Sequence, residues 1–84
     1  MFHRIKNVKA LPNFILQVDF LNGVSKYYDV KPLFQLWKPF EALKTTDYLF
    51  NLVKVDTGGY GISWNEEIDL SCDELWENGT FNNC

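Results

Sequence analysis

A period-two apolar pattern beside an Asn-Gly pair constrains this chain more than any other feature. In the run FILQVDFL at positions 14–21, alternate side chains are apolar: Phe14, Leu16, Val18 and Phe20. Such alternation indicates a strand with one buried face. Asn22-Gly23 follows and favours a two-residue turn, because both central residues of a type I′ turn need positive φ. Pairing outward from that turn predicts Asp19 opposite Lys26, an acid facing a base across a hairpin.

Shorter patterns surround this hairpin. Residues 3–11 predict a first strand that ends at Pro12. After Asp29, which can cap a helix, apolar residues recur at helical spacing: Leu33, Leu36, Trp37, Phe40 and Leu43. Pro39 interrupts that run, so we expect two short helical pieces rather than one helix. Asp47 is placed to cap one further turn over residues 48–51.

The region from residue 53 to 64 predicts a second hairpin. Val53 and Val55 alternate with polar residues, Gly58-Gly59 is typical of a tight turn, and Ile62 and Trp64 alternate on the return strand. The order strand-strand-strand-helix-strand-strand-helix predicts a single small α+β domain over residues 1–84, with a mainly antiparallel sheet of two hairpins. Seven Phe, four Tyr and three Trp in 84 residues make a stable core credible without disulfides.

The acidic run SWNEEIDLSCDELWENG raises the question of a metal or acid–base site. Ser71 and Glu74 have the spacing of a capping box, in which each side chain bonds the other residue's backbone N–H. Asp73 and Glu74 also lie in the first turn of a helix, where the helix dipole favours negative charge. We therefore interpret this part of the run as a helix start that Asn78-Gly79 ends.

Three carboxylates, Glu66, Glu67 and Asp69, remain outside that account. Glu66 and Glu67 are adjacent and point apart, and the run lacks the EF-hand pattern, so we predict no metal ligands and no cofactor. His3 near the N-terminus is a poor general base, and Cys72 is expected to be a packed residue. Trp64 and Trp76 are expected to be core anchors rather than a stacking platform.

The number of cysteines and the hydropathy of the sequence indicate the cellular compartment. Cys72 and Cys84 are too few for a disulfide framework and fit no zinc pattern, so both are expected to be free thiols in a reducing cytosol. No run approaches the roughly 20 apolar residues of a membrane span. The N-terminal sequence lacks the apolar centre of a signal peptide. These features predict a cytoplasmic protein without membrane contact.

Charge is unevenly distributed along the sequence. Seven Lys/Arg and three Asp/Glu give residues 1–44 a charge of +4, whereas one and eight give residues 45–84 a charge of −7. The net charge of −3 makes nucleic acid an unlikely default partner. Such asymmetry can mark an interaction surface. The alternative is that the two halves mix in space and leave no patch.

Four pieces of sequence, in their order and spacing, resemble a widespread bacterial family of small uncharacterised proteins, domain-of-unknown-function family 2442. They are KALPNFILQVDFLNG, YYDVKPLF, FNLVKVDTGGYGISW and IDLSCDELWENG. The resemblance implies a small α+β domain and no known catalytic residues. Some larger relatives carry a helix-turn-helix domain, which we do not expect in this chain. Relatives tend to occur beside another small uncharacterised protein, which implies a toxin–antitoxin-like pair.

These observations favour a non-enzymatic protein-interaction or regulatory module, with an antitoxin-like role as one version, and with a protein partner or a homodimer. The candidate partner surface is the edge strand with Arg4, Lys6 and Lys9, or the acidic rim, defined as Glu66, Glu67 and Asp69. One alternative is a small metal-dependent hydrolase that uses the carboxylates of residues 66–74. Another is a nucleic-acid accessory protein that uses the basic N-terminal strand.

Overall fold

The computed structural model describes residues 2–81 and confirms a small α+β fold. Cys84 lies outside the described residues. The strands are β1 (Ile5–Leu11), β2 (Ile15–Phe20), β3 (Ser25–Asp29), β4 (Lys54–Val55), β5 (Gly61–Ser63) and β6 (Asp69–Ser71). The α-helices are α1 (Leu33–Leu36), α2 (Glu41–Thr45) and α3 (Cys72–Asn78). Short 3₁₀ turns cover Pro12–Phe14, Lys38–Phe40, Phe50–Leu52 and Thr57–Gly59.

The first sheet has the strand order β1-β2-β3, and both pairings are antiparallel. The period-two prediction is confirmed on β2, where Leu16, Val18 and Phe20 are buried. β1 forms the expected first strand, with a bulge at Lys6, between the pairs Ile5–Phe20 and Asn7–Asp19. The alternation of β2 therefore directs one face of this sheet into the core.

The predicted hairpin register is wrong by one residue. Asp19 pairs with Ser25 rather than Lys26, and Lys26 pairs with Val18. The loop has three residues, because the Phe20 N–H donates to the Val24 carbonyl and Gly23 alone in the loop has positive φ, at 92°. A turn followed by a left-handed glycine inserts one residue relative to a type I′ turn. That shift moves Lys26 to the inner face, where it is buried.

The segment between the sheets is broken at Pro39, as predicted. α1 ends at Leu36, a 3₁₀ turn covers Lys38–Phe40, and α2 begins at Glu41. Asp29 does not cap α1; its carboxylate accepts from the Lys31 N–H in a local turn. The cap predicted for Asp47 is also wrong, because the turn at Phe50–Leu52 has no side-chain cap.

The second sheet has the strand order β4-β5-β6 and is antiparallel. The predicted hairpin is confirmed, with Gly58 at φ 85° and Gly59 at φ 80° in its turn. β6 was not predicted, because a three-residue strand inside an acidic run carries no measurable period. Gly59 lies so close to β1 that an added Cβ would stand 2.6 Å from the Ile5 carbonyl oxygen. The two sheets therefore meet at this glycine.

α3 begins as predicted and packs across both sheets. The Ser71 hydroxyl accepts from the Glu74 N–H at 3.1 Å, which confirms Ser71 as the N-cap. The reciprocal half of the capping box is wrong, because the Glu74 carboxylate bonds to the Tyr28 hydroxyl instead. Leu75 of α3 joins residues of both sheets in one buried apolar cluster. None of the helices among the described residues is long and apolar enough to cross a membrane.

Candidate interaction surface

A groove of about 330 Å³ lies between β3, α1 and α3. Its apolar walls come from Ile15, Leu33 and Leu36, and its polar lining includes Asp29 and Glu74. This volume is at the lower limit for small-molecule sites in proteins. The groove is thus a mainly apolar cleft with two carboxylates.

A hydrogen-bonded group closes the base of this groove. The Tyr28 hydroxyl donates to Glu74 Oε2 at 2.7 Å, and the Asn78 side-chain amide donates to the same oxygen at 2.9 Å. Burial, together with this carboxylate, raises the pKa of the Tyr28 phenol well above its usual range. The Tyr28 hydroxyl thus ties β3 to α3 through Glu74.

The two edges of the first sheet are covered in part. At β3, Tyr27 and Thr80 exchange two backbone hydrogen bonds of 2.7 Å. At β1, the Lys6 bulge and the close approach of Gly59 interrupt the start of the edge, at Ile5. Bulges and covering segments are the usual protection of edge strands. Strand addition along Arg4 to Lys9, one of the two predicted contact surfaces, is therefore interrupted at Ile5 and Lys6.

The end of α1 exposes two large apolar side chains beside the groove. We call Leu36 and Trp37 the helical ridge; their exposed fractions are 68% and 49%. Their neighbours in the same predicted helical pattern, Leu33 and Phe40, are buried. A four-residue helix that stops before a 3₁₀ turn cannot bury its whole apolar pattern. The helical ridge therefore leaves apolar surface exposed, although the Trp37 ring also lies 5.7 Å from the Phe40 ring.

An open depression of about 840 Å³ borders the other side of Leu36. We call it the basic depression, because Lys31, Lys38 and Lys44 line it with a single carboxylate, Glu41. Phe14 and Phe34 also line it, with their rings edge to face at 5.2 Å. The helical ridge thus separates a groove that contains carboxylates from a depression that contains lysines.

The acidic rim lies in a different part of the fold. The Asn65 side chain accepts from the backbone N–H groups of Glu67 and Ile68, at 2.9 and 3.0 Å, which tightens the turn before β6. All three rim carboxylates are exposed. Glu66 and Asp69 share a shallow depression with Lys54 and Ser63. The predicted acidic residues therefore lie on the turn before β6 and at the first residue of that strand.

The basic residues predicted on the first strand do not form an equivalent group. Arg4 donates to the Gly58 carbonyl at 2.8 Å and lies over the Tyr60 ring at 5.3 Å. Lys6 occupies the bulge, and Lys9 is exposed further along β1. Arg4 thus has a structural role that joins the two halves of the sequence in space.

The side chains considered above for chemistry are buried or packed against neighbouring residues. Within residues 2–81, no three His, Cys, Asp or Glu side chains gather to hold a metal ion. Cys72 is buried, and burial raises the pKa of its thiol. The His3 ring, expected near a frayed terminus, stacks on Trp76 at 3.7 Å. Trp64 is buried, as expected of a core anchor, and donates to the Phe50 carbonyl.

Sequence reasoning missed the helical ridge and the basic depression. Leu36 and Trp37 belong to an apolar pattern at helical spacing, which is typical of a buried helix face. A usable signal was present, because Pro32 and Pro39 flank a run too short to have a complete buried face. A spacing of 6–7 residues separates Lys31, Lys38 and Lys44. Whether that spacing brings them to one surface depends on how the broken helices pack.

Most of the chain matches one known protein family. Residues 5–81 match the model of a family described as protein of unknown function, DUF2442. The match confirms the resemblance found in the sequence and includes every strand and helix given above. Searches of curated proteins and of solved structures return no match.

Proposed function

We propose that this chain, which belongs to the DUF2442 family, is a non-enzymatic protein-interaction module. The observation that carries the proposal is the helical ridge. Leu36 and Trp37 stay exposed, whereas Leu33 and Phe40 of the same apolar pattern are buried. Leu36 also lines both the groove that contains carboxylates and the basic depression. Exposed apolar groups rimmed by charge are typical of protein contact sites.

The chemistry of the ridge suits an anchor of binding. Tryptophan is enriched among the residues that dominate binding energy, because it buries a large area at low conformational entropy. Lys38 and Glu41, close in sequence, supply a polar rim. We propose a partner protein whose apolar groups cover Leu36 and Trp37, in a regulatory pair of the antitoxin-like kind.

The proposal is tested by capture of a partner from lysate of the native host, read by mass spectrometry. The ridge variant is Leu36→Ser with Trp37→Ser. We expect the wild-type chain to capture one stoichiometric protein and the ridge variant to lose it. Reconstitution with that purified protein then measures the dissociation constant directly.

Two control variants locate the contact. Leu21→Ser and Leu52→Ser change leucines that are 56% and 63% exposed and lie outside both cavities; both should keep the partner. A third variant changes the acidic rim to alanine and tests the surface predicted from sequence. Capture of nothing, or equal capture by the ridge variant, would overturn the proposal.

The alternative functions are tested separately. A metal-dependent hydrolase requires carboxylates of residues 66–74 to converge, yet Glu74 faces Tyr28 while the acidic rim is on another turn. Calcium, magnesium or manganese would raise the melting temperature of such an enzyme, because a ligand of the native state stabilises it. A nucleic-acid accessory protein would bind DNA with strong salt dependence. Either result would replace the interaction module as the leading function.

A further inference from the structure

We infer that the basic depression docks the acidic rim of a second copy of this chain. The inference rests on the proposed interaction function and names one partner for it. It assigns separate roles to neighbouring surfaces: the helical ridge contacts the partner protein of the proposed function, and the lysines receive carboxylates of the second copy.

The first support is that, within residues 2–81, two of the three lysines of the basic depression and all three carboxylates of the acidic rim lack ion pairs. Among the described residues, Lys31–Asp29 at 2.9 Å is the single salt bridge. Lys38 and Lys44 therefore have no carboxylate of the described chain within salt-bridge distance, and neither do the three carboxylates of the acidic rim. A pair of copies would bring these unneutralised charges together.

The second support is complementarity of charge. The basic depression is open, has a volume of about 840 Å³, and is lined by three lysines against one glutamate. The acidic rim offers three exposed carboxylates. The Asn65 side chain accepts from the Glu67 and Ile68 N–H groups, and these hydrogen bonds order the backbone between the rim residues. Docking a preorganised segment requires little further loss of conformational entropy.

The third support comes from symmetry. In a two-fold dimer, the rim of one copy contacts the depression of the other, and the reverse contact forms at the same time. Each copy then contributes both surfaces, so one weak electrostatic contact is made twice. Lys31 is held by Asp29 and by the Asn13 carbonyl, so Lys38 and Lys44 are the lysines available for this contact.

The test is a charge-reversal exchange with the purified chain, measured by sedimentation equilibrium. One variant carries Lys38→Glu and Lys44→Glu, and the other carries Glu66→Lys and Glu67→Lys. Each variant alone places like charges at both contacts, so we expect dimerisation to weaken roughly 100-fold. An equimolar mixture restores opposite charges at both contacts and should form a heterodimer of near wild-type affinity, which also excludes misfolding as the cause.

Salt and a control variant complete the experiment. Raising ionic strength from about 0.05 M to about 0.5 M should weaken the wild-type dimer, because added salt shortens the Debye length and screens the attraction between the charges. Lys6→Glu with Lys9→Glu reverses two exposed charges elsewhere and should change nothing. A wild-type chain that stays monomeric, a dimer insensitive to both reversals, or a mixture that fails to associate would overturn the inference. Partner capture through the helical ridge is measured independently, so the proposed function can survive such a failure.

Discussion

The first sheet and the linking segment, defined as residues 30–53, differ in how fully they bury their apolar side chains. On β2, alternate side chains are fully removed from solvent, and Leu16 and Val18 have no exposed area. In the linking segment, Leu33 and Leu43 are buried, while Leu36 is 68% exposed and Tyr48 is 81% exposed. Both regions carry a clear apolar pattern in the sequence.

The difference follows from how each element presents its side chains. A strand paired on its sheet keeps one face toward the core over its whole length. Four- and five-residue helices joined by 3₁₀ turns change direction every few residues, so part of their pattern turns outward. Apolar residues in the linking segment are therefore divided between the core and the surface, whereas alternate residues of β2 are buried along the whole strand.

The largest expected effect compares a leucine from each region. Leu16→Ala removes a fully buried side chain and should lower the free energy of unfolding by about 3 kcal/mol. Leu36→Ala should change it by less than about 0.5 kcal/mol, because the side chain is mostly exposed. Urea unfolding of both variants measures this contrast. Equal losses would mean that Leu36 belongs to the core.

A matched pair of lysines extends the comparison to charge. The Lys26 ammonium donates to the Trp76 backbone carbonyl and lies 4.1 Å from the centre of the Trp76 ring. Lys26→Met keeps the aliphatic stem and should lower the free energy of unfolding by about 1.5 kcal/mol, through the lost charged hydrogen bond and cation–π contact. Lys38→Met should be nearly neutral in the same urea assay. A neutral Lys26→Met would show that the buried cation contributes no net stability.

Tyr48 tests whether the linking segment stores strain. Its φ is 67°, a left-handed conformation that is costly for a residue with a Cβ, and its side chain is mostly exposed. Tyr48→Gly should raise the free energy of unfolding by about 0.5 kcal/mol, since strain relief slightly exceeds the added entropy of the unfolded chain. Thermal and urea unfolding would measure the gain. A loss above about 1 kcal/mol would indicate that the tyrosine ring packs on the fold.

The smallest effect tests the register of the first hairpin. The Ser25 hydroxyl donates to Asp19 Oδ1 at 2.7 Å, and this bond is the main cause that lowers the pKa of Asp19. A lowered native pKa adds stability above the unfolded value near 3.8, and that stability is lost as pH falls through the native pKa. Ser25→Ala should raise the Asp19 pKa in an NMR titration. Lys26→Met should move it less, whereas the register predicted from sequence requires the opposite order.

Much of the fold was predictable because its signals are local. The period of β2, the break at Pro39 and the Ser71 cap each depend on residues close in sequence. The register of the first hairpin was predicted wrongly because Asn-Gly fits both a two-residue loop, which was predicted, and a three-residue loop, which is observed. Choosing between them requires knowing that Trp76 offers a site for the Lys26 ammonium, on an element about 50 residues away.

The candidate surface was less predictable than the fold. The acidic rim was identified from sequence as a group of neighbours, and the structure places Glu66 and Asp69 at the same shallow depression. The basic strand was also proposed from neighbours, but Arg4 is used within the fold. The helical ridge and the basic depression could not be found this way, because their residues become one surface only after the linking segment folds.

The sequence by itself determined the α+β class, the buried face of β2, the positions of the breaks and the start of α3. These depend on periodicity, turn chemistry and capping, which act over a few residues. The tertiary structure alone decided which apolar residues remain exposed, which charges lack partners and which edges are covered. Those properties depend on what lies opposite each residue, and packing between distant segments determines that.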